Sequence, residues 1–327
     1  MESATKNRQS REDIYQMVQR AFGNHYKDSE IGIKELTEGF YNVAYEIILP
    51  DKAVILKIAP PADARIMSYE KNIMKAEVDG LRMMKEQTAV PVPYVFYYDD
   101  TGELCDASYF FMEKLEGDSF FKRKEELSSQ ERQMIWEEAG RMNAQMNAVS
   151  GTLFGYIGLP GMQGLSWKDT FLSMIYGVLE DGISIDISLG EGVEYGTVRD
   201  LIDQAGFALE EVKTPSFIHW DLWDGNIFVK DAGITGLIDF ERALWGDPLM
   251  EYSFRRHSYN ESFIRGYGSD LRADAPIRAL LYDMYLYLIM VVETKYRNYQ
   301  DDWQYKFATE ELRKSLEALE RILQIEL

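Results

Sequence analysis

Thiol and imidazole side chains are scarce in this chain, which carries one cysteine, Cys105, and three histidines in 327 residues. A single cysteine excludes an intrachain disulfide and leaves a cysteine-rich zinc site without ligands, so a reduced compartment fits. Basic residues are outnumbered as well, 35 against 55 acidic, for a formal net charge of −20. A surface this acidic repels a phosphate backbone and disfavours nucleic acid as a partner; its simplest role is to keep the protein in solution. Long hydrophobic runs are absent. The most apolar stretch, MYLYLIMVV at 284–292, lies between Asp283 and Glu293 and is far short of the roughly 20 residues that cross a bilayer, so it reads as a buried helix. The N-terminal MESATKNRQSREDIYQMVQ has no apolar core of a signal peptide, and the expected location is cytoplasmic, with no membrane partner.

What is present suffices for a large core, since 46% of the residues are hydrophobic. Ser10 and Asp13 cap an amphipathic helix carrying Ile14, Met17, Val18 and Phe22. The runs YNVAYEIIL and AVILKIA around Pro50 and Asp51 read as a hairpin. Helical spacing returns from Tyr69 to Lys85, and the prolines of VPVPYVFYYD force extended chain after it. SYFFMEKLEG is a further strand closing at Gly117. Beyond Gly117 helices dominate. Ser128 and Glu131 form a capping box, and Leu312, Leu316, Leu319 and Leu323 share one face near the end. The exception is NIFVKDAGITGLIDF, a second hairpin expected to turn at Ala232 and Gly233. A β-rich first third followed by a helical remainder argues an α+β fold over alternating α/β.

The second hairpin gathers the chemistry. Pairing outward from its turn brings Asn226 opposite Asp239 within a residue or two of register. Oxygen ligands at two neighbouring strand ends suit Mg2+, and Asp221 on the preceding irregular segment could accept a proton from a hydroxyl. Taken alone, Asp and Asn are ordinary strand-end residues. Together, His219, Asp221, Leu222, Asn226 and then Asp239-Phe240 complete the kinase pattern H-x-D-L-x-x-x-N followed by D-F. Upstream, Lys57 sits in an apolar strand and needs an anionic partner or a route to water; Glu70 and Glu77 follow on the next helix.

At these positions the chain resembles the aminoglycoside phosphotransferase family, relatives of choline and fructosamine kinases with a protein-kinase-like bilobal fold. The matching segments are TEGFYNVAYEI, VILKIAP, MKAEVDGLRMM with VPVPYV, FFMEKLEG, FGYIG, IHWDLWDGNIFV and LIDFERALWGDPL. The resemblance implies a mostly β nucleotide-binding lobe over residues 1–115 and a helical lobe over 116–327 with the catalytic loop and substrate site. It implies an ATP-dependent (or GTP-dependent) kinase transferring the γ-phosphoryl group to a hydroxyl of a small, cationic acceptor such as an aminoglycoside or amino sugar. Asp221 resembles the catalytic base, Asn226 and Asp239 the Mg2+ ligands, and Lys57 the phosphate-binding lysine with Glu77 as its partner. Met112, Glu113 and Leu115 resemble the adenine-binding hinge, and Gly39 the remnant of a phosphate-covering loop. His219 would order the catalytic loop.

Departures from the protein-kinase pattern carry information too. Trp220 stands where protein kinases have arginine, Glu241 replaces the glycine of D-F-G, no A-P-E follows, and only a short segment separates Glu241 from Asp247. Control by activation-loop phosphorylation and a protein acceptor are therefore not expected. Asn147 occupies a place where the family often has histidine. For the acceptor, Trp223, Asp224 and Trp245 lie near the expected metal site, and LEDGISIDISLGEGVEY offers Glu180, Asp181, Asp186, Glu191 and Glu194 as an acidic wall or a plain solvated loop. A catalytically silent nucleotide-binding protein of the same fold is the rival reading. Retention of Lys57, Asp221, Asn226 and Asp239 together argues against it.

Overall fold

The computed structural model describes residues 5–37 and 41–326; Gly39 lies outside the described residues. Helix α1 (Arg11–Phe22) starts on the expected capping box, with Ser10 and Asp13 bonded reciprocally, and buries Ile14, Met17 and Val18. It packs on a five-stranded antiparallel sheet of β1 (Gly32–Leu36), β2 (Val43–Ile48), β3 (Ala53–Ile58), β4 (Val95–Asp99) and β5 (Tyr109–Glu113), ordered β1-β2-β3-β5-β4. The expected hairpin is β2 and β3. β1 was not foreseen: its sequence, GIKEL, has no buried residue and no β-branched run, and it forms because β2 offers an open edge.

Strand periodicity decides which residues meet which layer. In β3, Val54, Leu56 and Ile58 alternate into the core shared with α1, while Ile55 and Lys57 point to the opposite face. That face is covered by α2 (Ile73–Gln87), which begins later than the sequence spacing suggested because a 3-10 turn takes up residues 68–70. Ile73, Glu77, Leu81 and Met84 follow one another at three- and four-residue steps along its buried side. Lys57 is thus on a central strand, between Ala44 and Phe110 of its neighbours, and does not snorkel from an edge.

After the short β6 (Asp118–Ser119) and α3 (Phe120–Arg123) come α4 (Ser129–Asn147), β7 (Gly155–Tyr156), α5 (Trp167–Ser184) and α6 (Tyr195–Ala205). A three-stranded sheet, ordered β7-β11-β8, then joins β7 to β8 (Ser216–Ile218) and β11 (Leu244–Gly246). Between them lies the hairpin of β9 (Ile227–Lys230) and β10 (Gly233–Leu237), and helices α7 (Glu261–Tyr267), α8 (Leu271–Asp274), α9 (Pro276–Tyr296) and α10 (Trp303–Glu326) complete the lobe. α9 is buried nearly all round, as its apolar run required, and α10 packs on it through Leu312, Leu316, Leu319 and Leu323. Among the described residues no helix is long and apolar enough to cross a membrane.

The hairpin turn sits one residue earlier than expected. Asp231 and Ala232 both have positive φ, 51° and 61°, and join Lys230 to Gly233, the two-residue turn whose twist matches a hairpin. A bulge between Ile234 and Gly236 then restores half of the displaced register, so that the Asn226 backbone carbonyl accepts a bond from the Ile238 N–H, 3.1 Å, one residue short of Asp239.

Where α4 crosses α7, the two backbones approach through glycine. A Cβ on Gly140 would collide with the Phe263 carbonyl, and one on Gly266 with that of Glu137. Gly140→Ala should therefore cost about 1–3 kcal/mol of stability by forcing the helices apart, seen as a lower urea midpoint. An unchanged midpoint would show that the crossing can relax.

Candidate active site

β8 delivers the chain to residues 219–226 in a strained conformation, with Trp220 at φ 68°, where bulky residues rarely sit. A buried carboxylate holds it there. Glu251 accepts the backbone N–H of His219 through Oε1 and of Trp220 through Oε2, each at 3.0 Å, and the side-chain amides of Asn143 and Asn147 at 2.8 and 2.9 Å. Asn147 also bonds the Phe217 carbonyl and accepts the Tyr267 hydroxyl. The Trp220 ring fills a buried pocket beside Tyr69, Tyr156 and Tyr285, with the Arg255 and Arg242 guanidinium carbons 5.1 and 5.6 Å from its centroid. Arg255 also donates to the Trp220 carbonyl.

His219 is fully buried. Its Nδ1 accepts the Asp221 N–H at 3.2 Å, which leaves the proton on Nε2 to donate to the Ile238 carbonyl at 3.0 Å. The imidazole therefore ties the loop to the residue before Asp239 with both nitrogens engaged. The side chain of Asn226 donates to the Asp221 carbonyl at 2.8 Å, which turns its amide oxygen the other way. Burial raises the Asp221 carboxyl above its ordinary range, against the opposing charge of Arg242.

Asp239 occupies the left-handed region, φ 70°, tolerable for Asp. Its Oδ1 meets the Lys57 ammonium at 2.8 Å, and that ammonium also contacts both Glu77 oxygens at 2.6 and 2.7 Å. Burial opposes the charge on Lys57, but Asp239 and Glu77 outweigh it and hold the lysine well above its usual value. Burial also works against ionised Asp239, where Lys57 wins and the carboxyl stays low. Glu77 is pushed up to about 7 by burial despite Lys57, and burial together with the charge of Asp239 raises Glu241. Oε2 of Glu241 accepts the Asn42 amide at 2.8 Å. Glu77, Asp239 and Glu241 present carboxylate oxygens within 4.8 Å of one another. With one ammonium among three carboxylates the cluster is short of positive charge, and its carboxylate oxygens fit a hard divalent cation.

Several expected residues are placed elsewhere. Glu70, the other candidate partner of Lys57, pairs with Arg297 at 2.6 Å. Asp224 is engaged by Lys124 at 2.8 Å, and the Trp223 ring folds over Gly225 against Phe121, 5.6 Å between centroids, so both face α3. Trp245 packs on Phe217 and Gly151. Met112 and Glu113 end β5, Leu115 follows and covers Gly236 of β10. Of the acidic stretch, Asp181 binds the backbone and hydroxyl of Ser68, while Glu180, Glu191 and Glu194 are solvated. Sequence reasoning missed Glu251, Arg242, Arg255 and Asn42. Arg242 and Glu251 stand in or just beyond the segment LIDFERALWGDPL, where a charged residue in an otherwise apolar context was the available signal.

A sheet lobe set on a helical lobe, with a buried lysine reaching from one to a hairpin of the other, is the protein-kinase-like fold. The chain aligns over 93% of its length with a candidate fructosamine-3-kinase of Haemophilus somnus 129PT, covering 96% of that protein at 18% identity and a TM-score of 0.67. It aligns over the same share with 98% of aminoglycoside phosphotransferase APH(4)-Ia, held in that structure with AMP-PNP and hygromycin B, at 16% identity and a TM-score of 0.66. Residues 32–277 match the phosphotransferase enzyme family, and the chain belongs to it. It is a small-molecule phosphotransferase, an enzyme of the kinase class. Among curated relatives, a probable ketoamine kinase of Enterococcus faecium is 25% identical over 235 residues, 70% of this chain and 73% of the relative.

Lys57→Ala would leave Glu77 buried without its counter-charge, the case in which breaking an ion pair costs about 3–5 kcal/mol. The expected result is a large fall in the urea midpoint that adding Glu77→Gln partly restores; no restoration would mean that the two do not depend on one another.

Proposed function

We propose that the protein transfers the γ-phosphoryl group of ATP to a hydroxyl of a small sugar-derived amine, of the ketoamine kind, with residues 1–115 forming the nucleotide lobe and 116–327 the acceptor lobe. The observation that carries this reading is the bridge from Lys57 to Glu77 and Asp239, set against an Asp221 whose loop is locked by His219 and Glu251. Lys57 would position the α and β phosphates, the backbone around Glu113 and Leu115 would receive the adenine, and Asn226 and Asp239 would hold Mg2+. That ion, when bound, neutralises charge between the phosphates. Asp221 would orient the acceptor hydroxyl and take its proton as the new P–O bond forms and the bond to the departing ADP breaks. Rate enhancement then comes from placement and electrostatics.

The ketoamine assignment rests on the Enterococcus faecium relative and on charge. Arg242 and Arg255 both act electrostatically on Asp221, so a polycationic antibiotic would bring its ammonium groups toward two buried guanidinium groups. An acceptor with one amine and several hydroxyls meets less of that repulsion, because its hydroxyls can face the guanidinium groups, and the net charge of −20 still draws a monocation from solution.

Asp221→Asn should cut phosphoryl transfer by about 10²–10⁴-fold with nucleotide affinity retained, measured by turnover and by calorimetry with ATP and magnesium. Undiminished turnover removes Asp221 from the role. A base must be ionised to act, so turnover should fall with falling pH through an inflection above the ordinary aspartate value, because burial raises this carboxyl. Fructose-derived ketoamines should be turned over with a higher kcat/KM than hygromycin B; the reverse order returns the aminoglycoside reading.

A further inference from the structure

Behind the catalytic loop runs a chain of alternating charges that the chemistry above does not use. Arg297, at the end of α9, reaches Glu70 Oε1 at 2.6 Å and Glu293 Oε2 at 3.2 Å. The same Glu293 oxygen accepts from Arg242 at 3.3 Å, while its other oxygen accepts from Gln304 at 2.7 Å. Side-chain exposure is 4% at Arg297, 3% at Glu70 and 9% at Glu293.

The two ends of the chain belong to different lobes. Glu70 lies in the 3-10 turn just before α2, the helix that carries Glu77. Tyr41, at the entrance to β2, lays its ring 4.9 Å from the Arg297 guanidinium, and its neighbour Asn42 bonds Glu241. At the far end, Arg242 stands three residues beyond Asp239, its guanidinium carbon 5.6 Å from the centroid of the Trp220 ring, the residue before Asp221. Arg297 thus touches the nucleotide lobe directly and the base through two intermediaries.

Stability does not account for such a chain. Desolvating ions costs about as much as their attraction returns, and apolar replacements of similar volume are often neutral or better. The Nε of Arg297 and the hydroxyl of Tyr69 are, moreover, buried without a hydrogen-bond partner among the described residues, a loss that an arrangement selected for stability alone would avoid. What the chain does supply is registry, since one Arg297 nitrogen, Nη2, bridges a carboxylate from each side and so fixes their separation in a way that apolar contact does not.

We infer that Arg297 is a positioning residue for phosphoryl transfer: it sets the nucleotide lobe, through Glu70 and Tyr41, against the loop that holds Asp221, through Glu293 and Arg242. The inference rests on the kinase reading of the cleft for its effect on turnover, but not for its effect on the structure. Removing the bridge lets the lobes shift by fractions of an ångström, enough to misalign the reacting atoms while Lys57 and Glu77 still receive the nucleotide.

The test is the double variant Glu70→Met with Arg297→Met, alongside Arg297→Lys. In the double variant the urea midpoint should hold or rise, kcat should fall about tenfold or more, KM for ATP should stay close to native, and amide exchange should quicken in residues 68–72 and 219–226. Arg297→Lys, which keeps the charge and a single nitrogen able to bridge the two carboxylates, should recover part of kcat. Native kcat with native exchange in the double variant overturns the inference, and so does a midpoint that falls in step with kcat, which would make the chain a stability element. If the native protein transfers phosphate to no acceptor, the reading of the cleft fails, whereas the exchange and denaturation measurements still decide whether Arg297 couples the lobes.

Discussion

A lysine ammonium buried between two carboxylates governs this fold. Lys57 comes from the middle of the sheet, Glu77 from the helix laid across it and Asp239 from the far side of the cleft. Neither Glu77, which is fully buried, nor Lys57, 11% exposed, could sit there alone, because an unpaired ion inside a protein costs several kcal/mol, and Asp239 closes the bridge from the more open side. Each side chain therefore fixes the position of the other two. The start of α2, the register of β3 between β2 and β5, and the left-handed turn of Asp239 all have to agree for the contact to form.

A second carboxylate, Glu251, does for the loop what Lys57 does for the lobes. Its two oxygens take four donors from two stretches of chain, α4 and the loop itself, and two of those donors are the backbone amides around the strained Trp220. The cost of the positive φ is offset by those bonds and by the aromatic bed beneath the ring. His219 adds the last tie, from the loop to the strand end before Asp239. Asp221 and Asn226 are consequently presented by backbone that has little freedom left.

Much of this could be read from the residues in order. The capping boxes at Ser10 and Ser128 are local hydrogen-bond patterns and were legible as such, and so were α9 and the leucine face of α10, which follow from periodicity. The histidine, aspartate and asparagine of the loop were legible because their spacing is chemical. β1 was not, since its residues have no strand preference and its pairing is supplied by β2. The hairpin turn was misplaced by one residue because Asp231 and Ala232, not a glycine, adopt the left-handed backbone. Glu251, Arg242 and Asn42 were missed for a common reason: each acts on a residue far away in the chain, as Asn42 does on Glu241. Trp223 and Asp224 drew attention by lying beside the motif, and their contacts with Phe121 of α3 and with Lys124 just after it were not visible in the sequence.

The short run from Asp239 to β11 has a further consequence. In five residues the chain passes from the left-handed turn into a strand stitched on both sides, to β7 and to β8. No slack remains there that could fold and unfold as a gate. A switch that works by ordering and disordering this run is therefore not available to the protein, which leaves the stretch a pin between two strands and not a latch.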